Sequence, residues 1–239
     1  MATLIEDLKS FTPKNDEEAA DYALLLEAAH HEEAYNRTWP SHFTASAWVV
    51  NPLRTKTLMI YHNIYQSWSW IGGHADGMHD LSLVAARELE EETGLSEAKM
   101  AHSGLLSCET LTVDGHWKRG AYVPSHLHLN ATYLFEASEE DALRIAPEEN
   151  SGVRWLTFEE ALTASSEPWM VEHVYRKLIE RSKSPQRLQG TVLRNNSEHN
   201  QILFVRVHHR MELAFPAVMA RTRSQRLLPA FDNHFTNAS

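Results

Sequence analysis

Four glutamates fall within five consecutive positions, Glu88, Glu90, Glu91 and Glu92, in the stretch GGHADGMHDLSLVAARELEEETGL (Gly72–Leu95). Carboxylates this close repel one another, so such a run suits either a solvated surface or a site for a divalent cation. On a helical wheel at ~100° per residue, with Glu88 at zero, Glu91 falls near about −60° and Glu92 near about +40°. Leu81, Val84 and Ala85 lie on that same side, which predicts an inward face, while Glu90 points to water. Carboxylates converging at a partly buried edge tend to hold protons unless a cation is present. They also sit near the helix C-terminus, where the dipole disfavours negative charge. Hard oxygen ligands of this kind select Mg²⁺ or Mn²⁺ over thiolate-seeking metals. Arg87 lies about 40° from Glu91 on the wheel and is expected to hold it by a bidentate ion pair.

These groups need elements to position them. WSWIGGHADG reads as a strand entering a glycine-rich loop, and a helix follows from Asp80 to Thr93. Asp80 suits its N-cap and Gly94 its C-terminal cap. Upstream, Asp16–Tyr35 predicts one capped helix with acids in its first turn. HFTASAWVVN and KTLMIYH predict two strands joined at Asn51-Pro52. Downstream, GLLSCETLTVD, LHLNATYLFEA and GVRWL carry strand chemistry, and FEEALTA and EPWMVEHVYRKLIERS read as helices. Strands and helices mixed in this order imply an α/β sheet between helices.

The box resembles the signature of the Nudix hydrolases, G-x5-E-x7-R-E-U-x-E-E-x-G-U, where U is a bulky aliphatic residue. Gly73, Arg87, Glu88, Leu89, Glu91, Glu92, Gly94 and Leu95 match at the family spacing, and His79 replaces the first glutamate. The resemblance spans about residues 40 to 182. It implies a Nudix-type α/β/α sandwich with a mixed sheet and a box folded as loop–helix–loop. It also implies that Glu88, Glu91 and Glu92 carry the metal, Glu88 and Glu92 foremost, with the Gly73 carbonyl as a further ligand. Arg87 would then orient the carboxylates. Members of the family often supply a distal glutamate as general base, and Glu149 is the residue to which that role is carried here. Glu92 is the other candidate for it. The implied reaction is Mg²⁺- or Mn²⁺-dependent hydrolysis of a phosphoanhydride in a nucleoside diphosphate linked to a group X. The alternative is a non-catalytic Nudix module that senses a nucleotide ligand. Many relatives pair, so a homodimer is a further expectation.

Other residues invite chemistry with less force. Trp68 and Trp70 could stack on a nucleobase, or pack as an alternating aromatic strand. His126 and His128 share one strand face and could touch a phosphate or a metal, or serve structure alone. Cys108, the sole cysteine, is expected to be buried and inert.

The 239 residues are 43% hydrophobic and 23% charged, as in an ordinary globular protein. No run approaches the ~18 apolar residues of a membrane span. MATLIEDLKSF lacks the basic-then-apolar order of a signal peptide, and one cysteine excludes a disulfide framework, so the expected setting is cytoplasmic. A net charge of −10 argues against nucleic-acid binding and leaves a small nucleotide as the expected partner. The charge is uneven. Residues 1–183 carry −14, and residues 184–239, with seven Arg and three acids, carry +4. The organisation read from this is an N-terminal helical segment (1–36), a Nudix domain (37–183) and an extension (184–239) with the composition of a poorly ordered tail.

Overall fold

The computed structural model describes residues 3–118 and 120–183. The expected extension therefore lies outside the described residues.

The chain opens with α1 (Leu4–Ser10), which the sequence reading missed. Its signal was present: the Thr3 N–H donates to Glu6 Oε2 at 2.9 Å, half of a capping box. The helix expected over Asp16–Tyr35 is shorter. It runs as α2 (Asp16–Ala28), capped by Asn15, and yields to a 3₁₀ turn over Glu32–Tyr35. Tertiary packing makes the break. Tyr35 turns inward to pack on Phe43, with ring centroids 4.8 Å apart, and its carbonyl accepts the Gly77 N–H.

Ten strands follow in chain order with three helical stretches. They are β1 (Ser41–Val50), β2 (Lys56–His62), β3 (Ser67–Ser69), β4 (Ile71–His74), α3 (Leu81–Thr93), β5 (Lys99–Met100) and β6 (Ser107–Val113). Next come β7 (His116–Lys118), β8 (Ala121–Val123), β9 (His126–Glu136), β10 (Asn150–Thr157) and α4 (Phe158–Ala164). The last stretch, read as one helix, is α5 (Pro168–Met170), a π turn over Val171–Tyr175 and α6 (Arg176–Lys183).

The main sheet is mixed, with the order β10-β2-β1-β9-β5. Its axis is the parallel pair β1–β9, in register from Ser41↔Leu127 to Val50↔Glu136. The other flank of β1 is shared: β4 pairs with its middle, Thr44 to Ala47, and β2 with its end. Strand β1 is buried on both faces, as a central strand must be.

Alternation along β1 separates two cores. Phe43, Ala45, Ala47 and Val49 pack with Leu81, Val84, Ala85 and Leu89 of α3 and with Leu4, Leu8 and Leu25 of α1 and α2. Trp48 and Val50 pack on the opposite face with Phe158, Val174, Tyr175 and Leu178. This is the expected α/β/α sandwich. The N-terminal helices belong to the same core as α3, and through it they brace the helix that carries the glutamates. No helix among the described residues is long and apolar enough to cross a membrane.

Candidate active site

Helix α3 begins where expected. Asp80 Oδ1 accepts the Leu83 N–H at 3.3 Å, and Gly94 closes the helix at φ 81°, a left-handed conformation suited to glycine. Its apolar stripe seats it over β1 and β4, and Gly72 and Gly73 of β4 let it approach closely. A Cβ added to Gly73 would lie 2.5 Å from Glu88 Oε2 and 2.6 Å from Oε1. One added to Gly72 would strike the Ala45 carbonyl and the Ser46 hydroxyl. Gly73 is thus a cradle for the Glu88 carboxylate, and Gly72 lets β4 lie close on β1, with no room for a side chain at either position.

Glu92, one turn further on, is 2% exposed and accepts the Gly72 N–H at 3.3 Å. The side chain of Glu88 is 12% exposed. Burial pushes the Glu92 pKa up to about 9, and the carboxylates of Glu149 and Glu88 add to the rise. Glu149 also hydrogen-bonds the neutral form of Glu92. Burial likewise raises Glu88, although Arg87 opposes the shift. Three carboxylates that no local sequence window unites therefore meet here: Glu88, Glu92 and Glu149. Glu149 stands exposed just before β10, its backbone held between the Ala146 carbonyl and the Asn63 N–H. The next residue, buried Asn150, was not foreseen. Its Nδ2 donates to the Glu92 carbonyl at 3.0 Å and ties the distal loop to the helix end.

Two expectations need correction. Glu91 does not share the buried face; its side chain is 62% exposed. Nor does Arg87 grip Glu91 bidentately, since the nearest approach is a single 3.9 Å contact. Arg87 Nη2 donates instead to Glu88 Oε1 at 2.7 Å and to the His74 carbonyl at 3.2 Å. The wheel angle missed this because the His74 carbonyl at the end of β4 draws the guanidinium away from Glu91.

The remaining candidates fall as follows. Glu90 is exposed. His79 stacks on Tyr35 at 3.9 Å and pairs with Glu32 at 3.1 Å, so it serves the N-terminal segment. Trp70 is buried edge-on to Tyr175, and Trp68 lies under Arg154, 4.6 Å from the guanidinium carbon. Cys108 is buried, and burial pushes its thiol pKa well above the ordinary value. His126 and His128 meet at 3.1 Å between their Nε2 atoms.

The family model described as the NUDIX domain matches residues 40–181. The chain belongs to the NUDIX family. No curated protein matches the sequence. Among solved structures, it is similar to a C. elegans Ap4A hydrolase at 18% identity and TM-score 0.44, covering 58% of this chain and 93% of that one. It is also similar to the E. coli dihydroneopterin triphosphate pyrophosphohydrolase at 14% identity and TM-score 0.44, covering 58% and 92%. A MutT NUDIX hydrolase from Burkholderia pseudomallei shares 20% identity at TM-score 0.36, covering 59% and 97%.

Proposed function

We propose that this Nudix enzyme is a divalent-metal-dependent hydrolase of a nucleoside diphosphate linked to X. The supporting observation is the buried Glu92 carboxylate, flanked by Glu88 and Glu149, where burial and repulsion both oppose ionisation. A hard divalent cation relieves each of these unfavourable terms, so the donor set fits Mg²⁺ or Mn²⁺. Glu88, Glu92 and the Gly73 carbonyl would hold the ion, with exposed Glu91 as a further carboxylate ligand. When bound, it would neutralise charge on the bridging phosphates and act as a Lewis acid toward phosphorus.

The chain's own residues do the rest. Arg87 fixes the Glu88 carboxylate by its 2.7 Å bond. Exposed Glu149, or Glu92 itself, takes the proton of the attacking water. Water adds to one phosphorus as the P–O bridge breaks, giving a nucleoside monophosphate and phosphorylated X. The acidic surface favours a small nucleotide over nucleic acid. A cytoplasmic setting and a homodimer complete the reading.

A screen of nucleoside diphosphate derivatives by phosphate release and chromatography, with Mg²⁺ or Mn²⁺, tests it. Turnover that chelator abolishes and Glu92→Gln suppresses is the expected result. Tight nucleotide binding with no turnover of any compound would leave the sensing module instead.

A further inference from the structure

A second group of possible ligands lies on the sheet itself. His42 on β1 stands opposite His128 on the parallel neighbour β9, and His74 on β4 stands opposite Thr44. Two of these rings come from strands far apart in sequence, and the third follows directly after Gly73. The ring of His42 lies 5.2 Å from that of His74 and 5.1 Å from that of His128, and the last two are 5.0 Å apart. One ring nitrogen from each falls within 4.8 Å of the others.

The hydrogen bonds decide how His42 is set. Its Nδ1 donates to the Trp39 carbonyl at 2.6 Å, which leaves the lone pair of the neutral ring on Nε2. His42 is 2% exposed, and its Nε2 is buried with no hydrogen-bond partner among the described residues. A backbone carbonyl fixing one nitrogen while the other offers a lone pair is the usual support for a metal-binding imidazole. His126 repeats the arrangement beside it. Its Nδ1 donates to the Pro124 carbonyl at 2.9 Å, and its Nε2 faces His128 Nε2 at 3.1 Å. That spacing is close to the roughly 3.3 Å between two nitrogens that bind a tetrahedral Zn²⁺ at ~2.0–2.1 Å. A cation shared among the rings would satisfy the buried Nε2 of His42.

We propose that His42, His74 and His128 bind a divalent transition-metal ion of the Zn²⁺ class, with His126 as the adjoining fourth imidazole. The donor set is all nitrogen, which selects zinc, copper or nickel over magnesium. His42 closes the site from the core, while half-buried His74 and His128 leave a way in. The carboxylates over the glycine pair have the opposite preference, so the two places would sort hard from borderline ions. The histidine site does not depend on the hydrolytic reading and requires no turnover.

The test uses the full chain, stripped with chelator and dialysed. Zn²⁺ is titrated against a chromophoric indicator, and Co²⁺ reports ligand type by its visible absorption. One equivalent of Zn²⁺ and an intense nitrogen-ligated Co²⁺ spectrum are expected. Outer partners of zinc-binding histidines are alone worth about 10–100-fold in affinity, so His128→Gln should weaken binding at least a hundredfold. Glu92→Gln should leave it unchanged. Absence of bound Zn²⁺, or binding that survives His128→Gln and disappears in Glu92→Gln, would overturn the proposal. Circular dichroism verifies folding; if His128→Gln does not fold, His74→Gln decides by the same criterion.

Discussion

Two buried carboxylates of this molecule have opposite fates. Glu18 of α2 is 1% exposed and Glu92 of α3 is 2% exposed. Glu18 receives both guanidinium nitrogens of Arg181 at 2.7 Å, the Lys14 N–H at 2.9 Å and the Ser107 hydroxyl at 3.2 Å. Burial pushes its pKa up, yet Arg181, the Lys14 N–H and Lys177 together outweigh that push and hold it below the ordinary carboxylate value. Glu92 is surrounded by two further acids, and its pKa climbs to about 9. The fold thus neutralises one buried acid with its own cation and leaves the other in need of one. A structural ion pair completes itself, whereas a cation site is incomplete until the cation arrives.

The sharpest way to test this contrast is to remove each charge. Glu92→Gln keeps the shape and removes the anion. Activity with Mg²⁺ should fall a thousandfold or more, ~4 kcal/mol at 1.36 kcal/mol per tenfold, while the metal-free chain stays folded. Near-normal kcat would break the contrast. Arg181→Leu should do the reverse. It strands buried Glu18 and should cost about 3 kcal/mol in denaturant melts, leaving kcat per folded molecule unchanged. A loss of activity out of proportion to unfolding would mean that the two regions are coupled.

A third test follows from the opposite signs of the shifts. Glu18, held low, contributes stability that is present above the unfolded carboxyl pKa of ~4.3 and lost as pH falls. Glu92, held high, is favoured when protonated, so its contribution is lost as pH rises from there toward about 9. Metal-free protein should therefore lose stability steadily between about pH 5 and 9 in thermal melts, by up to ~1.4 kcal/mol per pH unit. Mg²⁺ or Glu92→Gln should flatten that slope. A slope insensitive to both would place its origin elsewhere.

What the sequence disclosed divides along similar lines. Local signals carried far: strand-forming residue types marked β1, β2, β6 and β9, and Asp80 and Gly94 marked both ends of α3. The family resemblance of the box implied Glu88 and Glu92 beside the Gly73 carbonyl, and both carboxylates do lie against the glycine pair. Long-range relations were not legible. That Arg87 chooses Glu88 over Glu91 depends on where the end of β4 puts the His74 carbonyl. The shorter α2 reflects Tyr35 turning into the core, which helical propensity does not register. His126 and His128 could be noticed as a pair on one strand. His42 and His74 join them only through the register of β1 with β9 and β4, which a local reading does not supply.

The smallest expected effect concerns the one position where the box departs from its family pattern. His79 faces away from the contrast altogether. Its ring stacks on Tyr35, its Nε2 meets Glu32 at 3.1 Å, and its carbonyl accepts the Leu4 N–H at 3.2 Å. The residue has exchanged an acidic role for packing of the N-terminal segment. Restoring the acid by His79→Glu would lose the stacking and set a second carboxylate beside Glu32, an exposed repulsion of about 0.5 kcal/mol. Stability should drop by roughly 1 kcal/mol, and kcat with saturating Mg²⁺ should stay within about threefold, since the imidazole bonds none of the three clustered acids. A gain of tenfold or more in kcat, or in Mg²⁺ affinity, would show that the box lacks a ligand at this position. The carboxylates over the glycine pair would then not be sufficient by themselves to hold the ion.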